Sequence, residues 1–535
     1  MKKGDYLTKL DAIINLLQFE KYVPPRKNAK NPVVKEEERI VDELKQLLRE
    51  EKISEDLYNK IKPVGSQPAR LYGLAKVHKN NTPVRPVLSM PGSAYHKIAQ
   101  QVAEWLSVVP ECGINSSSKS VCDSLKDVQL EDDEEMVSFD VSSLYTNVPV
   151  EEAITVCADL LYNGNNKTPP VDKETFIRLT RLSSCDVLML THRGYHKQDD
   201  GLAMGSAPAP HLANGWLSQY DATIKGDAKI FTRYMDDVLR NAKVTLIQQK
   251  LDELNSLHPN LKFTIEREED GALPFLDMRI MRDNHGKLSS TWYSKPTDTG
   301  LIMNFHALAP KKYKRSVVAG FVYRIHRACS SWKLFHESLE KAKKILERNQ
   351  YPPEFYGPII HDTLAKILQP PIESTAPTVT TENRVQKRLV FVQYRGKCTE
   401  EFAKDLHGLD APCSVVMTLR KVKTVLPSLK PQVELSLRSG VVYQIVCSGC
   451  QASYVGQTSR HLLKRFKEHK SSGPVNAHFL QCGVTPSFEE HVSVLGSTSR
   501  GVQHLLTLEA LWIREKAPTL NTRDEWNSRE LTIKW

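Results

Sequence analysis

Hydrophobic positions change their period several times along the chain. Residues 36–53, EEERIVDELKQLLREEKI, set Ile40, Val41, Leu44, Leu47 and Leu48 at helical spacing among charges, which predicts a helix with one buried face. Residues 1–65 as a whole read as a charged helical region. Between 66 and 300, short β-prone runs alternate with helical patterns. Met136 to Val141 suits a buried strand, and IFTRYMDDVLRNAKV reads as strand, tight turn, strand, with Asp236 and Asp237 at the bend. From 301 to 368 the helical period returns, and Leu334, Phe335, Leu339, Ala342, Ile345 and Leu346 form one apolar stripe expected in a core. Residues 369–384, QPPIESTAPTVTTENR, predict a linker. A connecting region reaches to 435, and a compact unit occupies 436–535.

A chain of 535 residues with 40% hydrophobic and 25% charged positions is too long for one core and reads as a multidomain α+β protein. Lys and Arg number 73 against 63 Asp and Glu, and the resulting excess of positive charge fits a polyanionic partner. No apolar run approaches the roughly 18 residues that cross a bilayer, and MKKGDYLTKL lacks a secretory apolar core. These features predict an intracellular protein without a membrane partner. Its ten cysteines are then expected as thiols or metal ligands.

Asp140 falls at the end of the apolar run Met136–Val141, where a lone carboxylate must pair, bind metal or emerge. Convergence with Asp236 and Asp237 would give three hard-oxygen ligands, enough for two Mg2+ ions about 3.5–4 Å apart. One ion would acidify a primer 3′-hydroxyl and the other would hold a triphosphate. In YHKQDDGLAMGSAPAPHLANGWLSQYD, Gly201, Gly205 and Ser206 allow close backbone approach to a flat ligand, and a helix after Pro208 can back them.

The order and spacing of these blocks resemble a reverse transcriptase: Phe139, Asp140 and Tyr145; then Met204, Gly205, Ser206 and Pro208; then Tyr234 to Asp237. The resemblance implies a right-hand fold of fingers, palm and thumb, with Asp140, Asp236 and Asp237 as Mg2+ ligands. Tyr145 would be the gate that selects deoxynucleotides, and Gly205 and Ser206 would contact the nucleotide. RLYGLAKVHKNNTPVRPVLSMPGSAYHKIA, LPFLDMRI and TWYSKPTDTG further resemble signature blocks of Penelope-like retroelements. That implies fingers and palm over 66–300, with Lys76, Lys79 and Arg85 facing the triphosphate. A thumb over 301–368 would grip the template-primer backbone through Lys311, Lys312, Lys314, Arg315, Arg324 and Arg327.

In SGVVYQIVCSGCQASYVGQTSRHLLKRFKEHK, two β-like runs each carry a tyrosine, Tyr443 and Tyr454, and a basic helix follows with Arg465. Together with Glu509 and Asn521 this resembles a small α/β GIY-YIG endonuclease domain over 436–535. The resemblance implies one Mg2+ on Glu509, charge neutralisation by Arg465 and a tyrosine that helps deprotonate water. Cys447 and Cys450 have the spacing of a zinc pair. Penelope-like nucleases carry a two-cysteine, two-histidine insertion, which implies a structural Zn2+ completed by His469 and His478; His491 and Cys482 are alternative ligands.

Taken together, the resemblance implies an RNA-directed DNA polymerase whose endonuclease nicks target DNA to prime copying of an RNA template with deoxynucleoside triphosphates, acting in the nucleus. Ala207-Pro208-Ala209-Pro210 departs from the usual Pro-Leu-Ser-Pro continuation, and further sequence is expected upstream of residue 1. A decayed or domesticated nucleic-acid-binding copy lacking one or both activities is therefore the other reading.

Overall fold

The computed structural model describes residues 3–16, 20–21, 30–76, 81–110, 117–164, 168–198, 200–369, 388–408, 413–418, 430–499 and 501–521. Helices and sheets are both abundant, as the alternating periods predict. The chain divides into two compact units, neither continuous in sequence: residues 1–114, 143–219 and 428–535 form the first, and 115–142 with 220–427 the second. The stretch 66–300 thus contributes to both units, and 436–535 belongs with the first.

In the first unit, a five-stranded sheet runs in the order Glu20–Lys21, Gly194–Lys197, Leu188–Thr191, Ala69–Ala75, Val84–Ser89. The last two form an antiparallel hairpin, whereas Ala69–Ala75 meets Leu188–Thr191 in parallel. The expected N-terminal helix spans Pro32–Arg49 and buries Ile40, Leu44 and Leu47. Asn31 caps it through a bond from Val33 N of 2.9 Å, satisfying one of its free amides. A second sheet orders Ser453–Thr458, Val441–Val446 and Val492–Ser497, all antiparallel. His461, just beyond this sheet, bonds through Nε2 to Ser66 O at 2.7 Å, and the side chain is buried.

In the second unit, a four-stranded antiparallel sheet runs Phe231–Tyr234, Asp237–Lys243, Glu134–Val141, Phe263–Arg267. Met136, Val137, Phe139 and Val141 are all buried, so the central strand is covered on both faces. A three-stranded sheet, Ala272–Phe275, Met278–Arg282 and Leu288–Trp292, shares one apolar core with helices Lys311–Ala328, Trp332–Arg348 and Pro353–Leu368. Phe335, Leu339, Ala342 and Leu346 of the expected stripe enter that core, and Trp292 meets Phe321 edge-on at 5.8 Å.

Within the connecting region, Arg388–Gln393 and Cys413–Thr418 pair in parallel around the helix Lys397–Gly408, as the valine-bearing runs RLVFVQ and CSVVMT favour. The proposed linker 369–384, apart from Gln369, lies outside the described residues. No described helix is long and apolar enough to cross a membrane.

Arg240 is the largest charged side chain buried in the four-stranded sheet, only 1% exposed. Its guanidinium is satisfied: Nη1 donates to Ile224 O at 2.7 Å, Nε to Asn241 O at 3.1 Å and Nη2 to Asp227 at 3.2 Å. Arg240→Ala orphans two carbonyls and leaves a void, with an expected loss of about 3 kcal/mol or more. Denaturant unfolding measures it, and a loss below about 1 kcal/mol would contradict this role.

Candidate catalytic centres

The second unit brings Asp140, Asp236 and Asp237 together. Asp140 and Asp237 are directly opposed in the antiparallel pairing, so their side chains leave the sheet on one face. Tyr234 pairs with Asp237, which leaves Met235 and Asp236 as a two-residue turn. Met235 has φ +55, a left-handed conformation rare for such a side chain and typical of functional turns. Val141 N donates to Asp236 O at 3.0 Å and ties the turn to the Asp140 strand. The hairpin was legible in sequence; its strained residue was not.

Three acidic groups at one sheet end repel one another. Burial first, then the charges of Asp236 and Asp140, push the Asp237 carboxyl up to about 6; Lys295 opposes this and Glu266 adds to it. Lys295 and Glu266 escaped the sequence reading as members of this centre, although Lys295 sits in the quoted TWYSKPTDTG block. A cluster of hard oxygen donors whose negative charge is unbalanced fits ions of the Mg2+ type.

The other residues expected at the nucleotide belong to the first unit. Leu74 pairs with Arg85 across the hairpin, Arg85 is exposed, and Lys76 N donates to Pro83 O at 2.8 Å. Lys79 lies outside the described residues. Tyr145 is half-buried in the short helix Leu144–Asn147, and its carbonyl accepts from Leu202 N at 2.6 Å. Gly205 has φ +115, and a Cβ there would sit 2.2 Å from Leu88 O. The glycine thus permits close approach to the chain's own strand. Ser206 is buried, and its Oγ has no hydrogen-bond partner among the described residues.

In the C-terminal part of the first unit, Tyr443 and Tyr454 lie on the adjacent strands Val441–Val446 and Ser453–Thr458. Tyr443 pairs with Gly456, where a Cβ would meet the Tyr454 ring at 2.7 Å and the Tyr443 hydroxyl at 2.9 Å. Only glycine leaves room for both rings. The Tyr443 hydroxyl lies 2.7 Å from His469 Nε2, and Arg465 Nε donates to it at 3.4 Å. Arg465 also bonds Glu468, which a second arginine, Arg460, holds from the other side. Burial pushes Tyr443 up to about 12 and, with the Arg465 charge, His469 down to about 4. A neutral imidazole therefore faces a protonated phenol. Glu509, on the helix Val502–Lys516, is half-buried and close enough for its charge to act on Tyr443.

Two assignments change. His469 is not beside the cysteines: it packs against Tyr454 at 4.9 Å between ring centroids and bonds Tyr443. The clustered ligand atoms are those of Cys447, Cys450, His478 and Cys482, all within 4.8 Å of one another. Cys482 follows His478 by four residues at the end of the helix Pro474–Gln481, which places both on one side. The edges of 3.2 Å from Cys450 Sγ to His478 Nε2 and 3.6 Å from Cys450 Sγ to Cys482 Sγ approach the ~3.8 Å edge of a tetrahedron built on ~2.3 Å Zn–S bonds. Burial opposes a Cys447 thiolate, but the amides of Cys450 and Gly449 hold the thiol down to about 6. This donor set fits zinc. Asn521, expected to act in catalysis, clasps Val455, accepting from its N at 2.9 Å and donating to its O at 2.8 Å. Its amide positions the tyrosine strand.

Asp237 yields a pH-dependent prediction. Its folded-state carboxyl titrates near 6 against an ordinary 3.8, so the native state holds that proton more tightly than the unfolded chain. The stabilisation is complete below about pH 4 and is lost as pH rises through about 6. Asp237→Asn should melt higher than the unchanged protein at pH 7, with the gap closing below about pH 4. Mg2+ should raise the melting temperature of the unchanged protein more than that of the variant. Equal melting at pH 7 would contradict the carboxylate repulsion.

Residues 301–361 match the family described as the animal helix-turn-helix domain. No curated protein sequence matches the chain. Among solved structures, telomerase from Candida albicans in complex with a fragment of telomeric RNA is 12% identical, with a TM-score of 0.39 over 58% of this chain and 61% of that one. Apo telomerase from Candida tropicalis is likewise 12% identical, at TM-score 0.37 over 68% and 66%. The Sicinivirus 3Dpol RNA-dependent RNA polymerase is 12% identical, at TM-score 0.32 over 58% and 71%. The chain thus spans about three-fifths of the Candida albicans telomerase it matches.

Proposed function

We propose that the chain is a nucleic-acid polymerase of the reverse-transcriptase type, from a Penelope-like retroelement, with a GIY-YIG nicking endonuclease in its C-terminal region. The observation that carries the polymerase reading is the direct pairing of Asp140 with Asp237 beside the Met235–Asp236 turn. Its partners would be an RNA template, a DNA primer and deoxynucleoside triphosphates. When bound, magnesium would acidify the primer hydroxyl and neutralise the departing pyrophosphate. Asp140, Asp236 and Asp237 would hold it, with their repulsion as the driving force for cation uptake. Tyr145 would select the sugar, and Arg85 and Lys76 would bind phosphate. In primer extension on poly(A) with oligo(dT) and Mg2+, Asp236→Ala should lose at least about 100-fold in rate. Absence of extension by the unchanged protein, or equal extension by the variant, would overturn the reading.

The nuclease reading is supported by the buried Tyr443–His469 pair beside Arg465. His469 would orient the Tyr443 hydroxyl, Tyr443 would help deprotonate water with the aid of a divalent ion held by Glu509, and Arg465 would neutralise charge on the phosphate. Target DNA is the substrate in this reading, and function would lie in the nucleus. Cys447, Cys450, His478 and Cys482 would hold a structural zinc. Two substitutions separate the roles. Cys482→Ser should lose zinc by atomic absorption. His469→Ala should keep its zinc but nick supercoiled plasmid at least about 100-fold more slowly. Zinc loss from His469→Ala, or undiminished nicking by Glu509→Ala, would contradict these assignments.

A further inference from the structure

Away from the carboxylates, one concavity of the second unit joins an aromatic floor to a basic rim. A cavity of about 160 Å³ is lined by Lys119, Lys126, His326, Cys329, Trp332 and Phe335. Trp332 opens the helix Trp332–Arg348 and is 49% exposed. Its ring lies 6.2 Å from His326 and edge-on to Phe335 at 5.3 Å. The neighbours thus fix the indole in place, yet half of it faces solvent, an unusual place for so large an apolar surface.

The rim keeps a positive balance. Lys119 and Lys126 share one carboxylate, bonding Oδ1 of Asp123 at 3.0 and 2.6 Å. Burial, then the charges of Lys119 and Arg327, hold His326 below its ordinary value against the pull of Asp123. At neutral pH His326 is therefore an uncharged ring that extends the aromatic floor.

We propose that this concavity binds one unpaired base of a single-stranded nucleic acid, stacked on Trp332, with flanking phosphates on Lys119 and Lys126. The inference rests on the nucleic-acid reading above and adds the state of the strand. A helix that reads the major groove of a duplex presents its first turn as a convex surface. Here the first turn of Trp332–Arg348 is one wall of a hollow, and the helix Ser118–Ser124, carrying Lys119, bounds it. A duplex is too wide to enter, whereas an unstacked base offers the flat ring and adjacent charge that the hollow complements.

The test is equilibrium binding of a fluorescein-labelled, mixed-sequence 12-nucleotide RNA to the full chain, followed by anisotropy across a salt series. Trp332→Ala should weaken binding about ten-fold with an unchanged salt slope, and Trp332→Phe should keep most of the affinity. The double substitution Lys119→Gln, Lys126→Gln should reduce the slope of log Kd against log salt by about 1.4. Undiminished binding by Trp332→Ala would overturn the proposal. So would equal loss in Trp332→Phe, or a 12-base-pair duplex that binds as tightly and with the same Trp332 dependence. Primer extension by the unchanged protein separates the two readings: a chain that binds RNA through Trp332 yet extends no primer refutes the polymerase reading and leaves this one standing.

Discussion

Electrostatic repulsion held in place by backbone pairing governs the second unit. The sheet leaves Asp140 and Asp237 no freedom to separate, because their strands are antiparallel and the two residues are direct partners. Met235 adopts φ +55 to bring Asp236 around the bend beside them. Such a residue costs roughly 1–3 kcal/mol, and burial together with the crowded carboxylates adds a further cost that lifts Asp237 to about 6. A fold that accepts both costs needs rigid support. The buried strand Met136–Val141 and the satisfied guanidinium of Arg240 supply it. A divalent cation is the simplest agent to convert that repulsion into binding energy.

The C-terminal centre solves a different problem. A phenol in water gives up its proton near 10, and burial drives Tyr443 further from use, to about 12. His469 stays neutral and lies 2.7 Å from the hydroxyl, which it orients. Arg465, with its charge stabilised by Glu468, completes a hydrogen-bonded group in which every member is oriented by another. Cys447 and Cys450, in the loop between the two tyrosine strands, lie beside His478 and Cys482 at the end of the helix Pro474–Gln481.

Much of this was legible because local rules act where they are strong. The helix of residues 332–348 announced its buried stripe, and the hairpin around Asp236 and Asp237 was visible from apolar runs and a turn. What sequence could not fix was choice among like residues. Spacing marks Cys447 and Cys450, but it favours His469 over Cys482 as a further ligand, whereas the helix Leu462–Ser471 turns His469 toward Tyr443. Asn521 carried the chemistry of a catalytic amide, yet an extended strand at Val455 claimed both of its polar atoms. Long-range packing also decided Gly205, whose freedom serves the approach to Leu88. The parallel pairing of Arg388–Gln393 with Cys413–Thr418 spans a helix, and short-range pattern carries no information on that closure.

Whether Asp140, Asp236 and Asp237 act together as one divalent-cation site is open to direct mapping. Replacing Mg2+ with Fe2+ and starting hydroxyl-radical chemistry cuts the backbone next to the bound ion, and the fragments can be mapped by mass. Cleavage is expected at both strand ends, near residue 140 and near residues 235–237, suppressed by excess Mg2+ and absent in Asp237→Asn. Cleavage at one of these places only, or cleavage indifferent to Mg2+ and to the substitution, would contradict it.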